Sequence, residues 1–544
     1  MPDQGPAEDR RVDVVIVGAG LAGLYMLHRV RGLGLSVRVY EAGGDVGGTW
    51  WWNRYPGARC DVPSLEYSYS FDPELEQEWE WTERYAAQPE ILRYVQHVAD
   101  RHDLRRDITF GTRVESLVHQ DDTGRWLVTT DSGEQASATW VVTAAGCLSA
   151  PKPPEFDGIG SFGGRVLSTS SWPHEDVDVT GLRVGVVGTG SSGIQVVPRL
   201  AEQARSLTVF QRTPNYTVPA RNAPLDPEDQ RAWKARYREH RAAALQTRTG
   251  ILVERGTTRA LEASAEERAA RFEACWQAGA FACYTASYTD VVTDLAANET
   301  VAEHLRGKIR EAVRDPQLAE DLTPRDHPFG TKRVCLDSGW YETLDRDDVT
   351  LVNLRRTPVV EVTARGVRTT EREHELDVLV LATGFDAVTG PLLRMDVRGR
   401  GGVSLRDAWS AGPRSYLGLQ VAGFPNLFTV TGPGSPSIIS NVIVSIEQHV
   451  DWIAECLRYL RDAGIDSIEP HPDAEAEWVQ HVQDVAAATL YPRAASWFTG
   501  ANVPGKPRVF LPYLGGVPVY RQKCEQVVAA GYQGFVLDRR TARA

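Results

Sequence analysis

Two short β-branched runs in this chain each end in the same glycine spacing, and that repetition constrains the fold more than any other feature. Residues 12–17 (VDVVIV) lead into GAGLAG and then into the helical pattern LAGLYMLHRVRGLG, after which a second β-branched run, SVRVYEA, follows. Strand, turn, helix and strand in this order form a βαβ unit. Gly18 allows the tight turn, Gly20 lets backbone approach a pyrophosphate, and Gly23 lets the helix pack close on the strand. The pyrophosphate then meets free N–H groups at the helix N-terminus. Glu41 closes the second strand, where a carboxylate accepts hydrogen bonds from ribose hydroxyls.

The pattern returns over residues 182–210, with Gly188, Gly190 and Gly193 carrying the glycines. Its second strand ends differently, because Gln211 and Arg212 stand where an acid is expected. Replacing a carboxylate by a guanidinium suits a 2′-phosphate and therefore NADP; the bland alternative is a surface arginine. One acid-ended and one arginine-ended fingerprint in a single chain point to FAD plus NADPH. The fold class that follows is α/β, with two dinucleotide-binding, Rossmann-like domains.

Between the fingerprints lie the strand pair WLVTTDSG and WVVTAAG, and a matching small-residue strand end recurs in LDVLVLATGFD. From residue 221 the texture becomes rich in Arg, Ala and Glu, with a capping box from Ser264 to Glu267 and Pro316 at a helix start. No chemical constellation is visible there, so this part reads as a helical insertion covering a site. The expected division is an FAD-binding domain from 1–150 and 389–544, an NADP-binding domain from 151–220 and 329–388, and the insertion at 221–328. A Pro- and Gly-rich stretch near 495–510 reads as a mobile loop.

At 544 residues the chain exceeds what one hydrophobic core supports, in keeping with several domains. A formal charge of −13 argues against nucleic acid or anionic membrane as partner, so an anionic ligand needs local basic residues. The first eleven residues show no apolar targeting run and no 18-residue apolar stretch occurs anywhere, which reads as a cytoplasmic protein, monomeric or a small homo-oligomer. Seven cysteines without a C-x-x-C argue against a disulfide framework, a redox dithiol or a metal site.

Just before the second fingerprint stands FGGRVLSTSSWPHE, residues 162–175. It is too polar for a core strand and too rich in Gly and Ser for a helix. It closely resembles the F-x-G-x-x-x-H-x-x-x-W-P signature of the Baeyer–Villiger monooxygenases, with Phe162, Gly164, Trp172 and Pro173 matching. GGTWWWNRYPGARCD (47–61), HPFGTKR (327–333), GPGSPS (432–437), SIEQH (445–449) and ASWFTGANVPGKPRVF (495–510) are similar to that family too, especially to its phenylacetone and steroid monooxygenase branch. One position departs: Ser168 stands where the family has histidine. In the family this stretch is a linker between nucleotide domains and its histidine is implicated in conformational change. A hydroxyl accepts or donates a hydrogen bond but carries no charge near neutral pH, so the departure bears on rate and coupling rather than on reaction class.

The resemblance implies hydride transfer from NADPH to FAD, addition of O₂ to give a flavin C4a-peroxide, and attack on a hydrophobic ketone to yield an ester or lactone. It assigns Arg333 as the fixed cation and Asp61 as the acid that orients it. Lys332 joins Arg212 at the 2′-phosphate, Thr49 and Trp50 lie over the flavin, and Trp497 senses NADP. Val62, Leu148, Ser437, Ile438, Ile439 and Val442 match positions lining the substrate pocket. Rival readings are a flavin monooxygenase oxidising sulfur or nitrogen centres and, because of Ser168, an uncoupled NADPH oxidase or binding module. A disulfide reductase is excluded because no C-x-x-C follows the first fingerprint.

Overall fold

A computed structural model describes residues 11–152 and 156–539; the reading of the extreme N-terminus as free of a targeting run falls largely outside them. The first fingerprint strand, Arg11–Val17, lies between Val37–Tyr40 and Gln135–Thr143 and runs parallel to both. The first half of Gln135–Thr143 pairs antiparallel with Arg125–Thr130, and its last residues pair with Leu427–Thr429. Asp396–Arg398 closes the far edge on Val114–Gln120. The C-terminal part of the chain therefore returns to the sheet that the N-terminal part begins.

The second sheet is parallel throughout, in the order Val349–Asn353, Ser206–Gln211, Arg183–Val187, Val378–Leu381, Arg165–Ser168. Its last strand revises the picture of 162–175 as a linker alone. Arg165 and Val166 are exposed while Leu167 is buried, and such a mixed segment is compatible with an edge strand, which pairs on one side only. Between the sheets the chain crosses at 147–152 and again at 382–388. The two crossings are bonded to each other: Val388 N–H donates to the Cys147 carbonyl at 2.8 Å and Asp386 N–H to the Ala150 carbonyl at 2.9 Å.

Helices fill the region from 221, including Ala265–Ala278 with the expected Ser264–Glu267 capping box and Pro316–Leu322 with proline in its first turn. The cysteine reading needs one correction, since Cys275 and Cys283 are joined by a disulfide with Cα atoms 5.4 Å apart. The helix stops at Gly279 (φ +66°) and the chain folds back into Phe281–Ala286, which brings the two thiols together. An odd cysteine count speaks against a framework but says nothing about one local pair. The five remaining cysteines are free and buried.

Each sheet has its own core, and residues 53–61 of the first unit are pressed into the second. Tyr55 and Ala58 pack with Trp172, Val184, Val186 and Ile194. The Tyr55 hydroxyl donates to Gln195 Oε1 at 2.7 Å, and Gln195 Nε2 donates to the Arg59 carbonyl at 3.1 Å. At Gly57 (φ +86°) a Cβ would lie 2.4 Å from the Gln195 carbonyl oxygen, so only glycine permits the approach. Gly57→Ala is expected to cost about 1–3 kcal/mol through this clash and the left-handed backbone. Thermal unfolding should show a lowered midpoint; an unchanged midpoint would mean that the segment is not pressed against that helix.

Candidate functional site

A cavity of about 870 Å³ opens at the ends of the first sheet's parallel strands. Gly18, Gly20, Glu41, Thr49, Trp50, Leu148 and Val442 are in its wall. Gly18 (φ +103°) and Gly23 act together, because a Cβ on Gly23 would lie 1.8 Å from the Gly18 carbonyl oxygen. The second fingerprint repeats this closely, with Gly188 at φ +112° and a Gly193 Cβ 2.1 Å from the Gly188 carbonyl. Gly190 precedes the helix Ser191–Ala201 and leaves the space beside it open.

Glu41 is fixed by backbone on both oxygens, accepting from Ala19 N–H at 2.7 Å and from Gly43 N–H at 2.6 Å. Burial pushes its pKa up, and these two N–H groups pull against that shift. The carboxylate thus stands oriented in the cavity wall beside the glycine turn. Cavity size near the top of the range for ligand pockets, a free helix N-terminus and this oriented acid together fit FAD.

Arg333 and Asp61 form a two-pronged ion pair: Nε donates to Oδ2 at 2.8 Å and Nη2 to Oδ1 at 2.7 Å. Asp61 follows the segment pressed by Gly57, whereas Arg333 precedes the strand Cys335–Asp337 and has its carbonyl held by Asn215 Nδ2 at 2.9 Å. The side chains are 22% and 26% exposed, enough to reach a ligand but largely dry. Burial pulls the Arg333 pKa down, but Asp61 more than compensates and holds it above the ordinary guanidinium value. The charge is permanent. Arg333 Nη1 also donates to the Ile438 carbonyl at 3.4 Å, and the guanidinium lies 4.7 Å from the Phe281 ring centroid. Phe281 comes from the insertion in which the sequence shows no chemistry, and no motif marks it.

At the second fingerprint Arg212 is exposed and Lys332 half-buried. Burial lowers the Lys332 pKa, Asp326 opposes this, and nearby Arg355 and Arg212 lower it further. Arg355 bonds to Asp326 and donates to Thr213 Oγ1 at 3.2 Å. Three cations facing one carboxylate leave room for an anion. Nothing in the sequence pattern singles out Arg355; it merely follows the strand Val349–Asn353.

Trp497 packs with Leu148, Ile438 and Val509 on Cys147, Val388 and Leu511. Ile439 joins Ile438 against Ala486 and Phe498. Asp61, Arg333, Ile438, Ile439 and Trp497 stand outside the wall of the large cavity, as do the buried Val62 and Ser437, Ser437 sharing a 2.7 Å hydrogen bond with Ser435. In the 162–175 stretch, Phe162 packs near Val187 and Phe210, and Gly164 passes so close to Asp377 that a Cβ would be 2.3 Å from its carbonyl oxygen. Trp172 is buried in the second core and Pro173 half-buried. Ser168 bonds locally, its hydroxyl 2.9 Å from that of Ser170, and caps the turn Thr169–Ser171. Among the described residues no His, Cys, Asp and Glu cluster could hold a metal, and no helix is long and apolar enough to cross a membrane.

Two dinucleotide folds facing a paired arginine define a flavin- and nicotinamide-dependent oxidoreductase. The pyridine nucleotide-disulphide oxidoreductase family matches residues 15–249, which span both fingerprints. A Baeyer–Villiger monooxygenase of Pseudooceanicola batsensis is 44% identical over 97% of this chain and 96% of its own. The structure of a steroid monooxygenase bound to NADP superposes with a TM-score of 0.93 at 51% identity, covering 97% of this chain and 99% of that one. A closed cyclohexanone monooxygenase structure gives 0.95 at 43% identity, covering 98% and 100%. The chain belongs to the Baeyer–Villiger monooxygenase family; it is an FAD- and NADPH-dependent enzyme of ketone oxygen insertion.

Removing the ring over the guanidinium tests the newly placed residue. A cation–π contact of about 0.5–2 kcal/mol implies that Phe281→Ala lowers kcat/KM for ketone by roughly 2- to 30-fold. Steady-state product formation alongside a thermal midpoint would check this, and an unchanged kcat/KM would show the contact to be idle.

Proposed function

We propose that Arg333, held by Asp61, is the fixed cation that stabilises negative charge on oxygen during insertion, and that the substrate is a hydrophobic ketone converted to an ester or lactone. The observation that carries this reading is the two-pronged ion pair, whose partners come from different nucleotide units and meet in a largely dry site. FAD, when bound, accepts hydride from NADPH and supplies the activated oxygen. The protein's part is to hold, orient and exclude water.

On this reading the first sheet with its returning strands is the FAD unit, and Gly18, Gly20, Gly23, Glu41, Thr49 and Trp50 hold the cofactor. Gly188, Gly190 and Gly193 receive the NADPH pyrophosphate, while Arg212 and Lys332, with Arg355, take the 2′-phosphate. An anion there would restore charge balance around Lys332, which its cationic neighbours now disfavour. Leu148 and Val442, in the cavity wall, give the substrate apolar contact, and Trp497 packs with Leu148, Ile438 and Ile439 beside them. Val62 and Ser437 act from behind this wall by setting the backbone of Asp61 and Ile438. Among the proteins similar to this chain, two are named for a steroid and for cyclohexanone and one for the acyclic acetone, so the apolar lining supports apolar ketones as a class here.

Oxidation of a soft sulfur or nitrogen centre builds no negative charge on a carbonyl oxygen, so the paired guanidinium favours ketone insertion here. A phenazine N-monooxygenase of Lysobacter antibioticus, 40% identical over 96% of this chain, keeps nitrogen oxidation as the second reading. Ser168 favours no other class, since its hydroxyl serves a local turn.

Arg333→Ala should retain FAD and lose ester formation by about 10²–10³-fold, the usual effect of removing a donor aimed at developing charge. Mass spectrometry for oxygen-added products from aryl, cyclic and steroidal ketones would read this, and near wild-type yield would remove Arg333 from the reaction. Arg212→Ala should raise KM for NADPH about tenfold or more while leaving KM for NADH little changed, since only the 2′-phosphate loses a charged partner. Equal losses with both coenzymes would make Arg212 structural.

A further inference from the structure

The stretch that carries Trp497 is tied by polar side chains to the crossing between the two nucleotide units. Lys506 Nζ donates to Asp386 Oδ1 at 2.5 Å and to the Ala387 carbonyl at 3.3 Å. Four residues earlier, Asn502 Nδ2 donates to the Phe385 carbonyl at 2.8 Å. These partners are consecutive residues 385–387, part of the crossing that is itself bonded to residues 147 and 150. Asp386 is aimed by its surroundings, since Gly390 lies so close that a Cβ there would be 2.8 Å from the Asp386 Cβ.

The Lys506 side chain is only 10% exposed and that of Asp386 26%. An ammonium held this far from water is costly unless a carboxylate faces it. The seated loop is therefore tolerable only while Asp386 occupies its present place. Nine residues before Lys506, Trp497 packs on Cys147 and Val388, which belong to the same two crossings. One end of the loop thus reads the crossing by charge and the other end covers the site by apolar contact.

We propose that Lys506 and Asp386 are positioning residues, a latch that lets the Trp497 loop seat only when the crossing between the nucleotide units is in its working arrangement. Any shift of residues 385–387 separates the pair, strands the ammonium and lifts the loop, so water enters and reducing equivalents leave as H₂O₂ instead of ester. The consequence for product rests on the monooxygenase reading above; the loop's attachment does not.

The test uses full-length, FAD-loaded enzyme with Lys506→Met, Asp386→Asn and the double variant. Hydrogen–deuterium exchange over 496–511, with and without NADP⁺, is measured beside H₂O₂ and ester formed per NADPH. The amides of Ala501, Val503 and Leu511 are bonded within the loop and report its seating. Each single variant should speed loop exchange by about tenfold and raise the H₂O₂ share several-fold, with FAD content and thermal midpoint held. The double variant should be no worse than the worse single, because the two residues act as one contact. Lys506→Arg should recover part of the protection. If Asp386→Asn does not fold, Lys506→Met and Asn502→Ala, both within the loop, make the same comparison. Unchanged loop exchange in the single variants, or additive losses in the double, would overturn the latch. Faster loop exchange with no ester from any form, wild type included, would leave the latch standing and defeat the functional reading instead.

Discussion

The Arg333–Asp61 ion pair is the constraint on which the rest of the site depends. Its partners lie 272 residues apart and come from different nucleotide units. To place Asp61, the preceding segment is pressed onto the helix Ser191–Ala201 at a glycine that tolerates no side chain and bonded there through Tyr55, Arg59 and Gln195. To place Arg333, its backbone is held by Asn215 and its guanidinium is faced by Phe281 and Ile438. A largely buried ion pair is a poor way to stabilise a fold, because desolvation offsets most of the attraction. Retaining one at the meeting point of four chain segments makes sense as a device that keeps a charge present and aimed.

The same economy of charge runs through the molecule. The chain is acidic overall, at −13, yet the helices after both glycine turns begin without a side-chain cap on their N–H groups, and cations gather beside the second turn. Arg212, Lys332 and Arg355 outnumber Asp326 beside the second fingerprint, and Arg333 is balanced by Asp61. The first cluster carries an excess of positive charge, whereas the second is neutral as a pair.

What could be read from the sequence was what is local in sequence. The glycine fingerprints are legible because turn, helix start and strand lie within a few residues, and Gly18 with Gly23 and Gly188 with Gly193 adopt matching close contacts. Arg333 and Asp61 could be named only through resemblance, since no spacing rule links residues so far apart. Phe281, Arg355 and the Lys506–Asp386 contact left no pattern at all, because each depends on where distant segments meet. The polar stretch at 162–175 was legible as unfit for a core, but its edge strand was not, since an edge needs only one partner and places few demands on composition. The Cys275–Cys283 bond escaped for a similar reason: it follows from a helix reversal at Gly279 rather than from cysteine spacing.

On the proposed reading the oriented guanidinium commits activated oxygen to the ketone. Reaction under ¹⁸O₂, comparing the wild-type enzyme with Asp61→Ala on one cyclic ketone, tests it most directly. The wild-type ester or lactone should carry one ¹⁸O atom, at near one product per NADPH. In Asp61→Ala, NADPH oxidation should continue while most of the label appears in H₂O₂. Labelled ester from Asp61→Ala at wild-type yield would contradict it, because insertion would then proceed without an oriented cation.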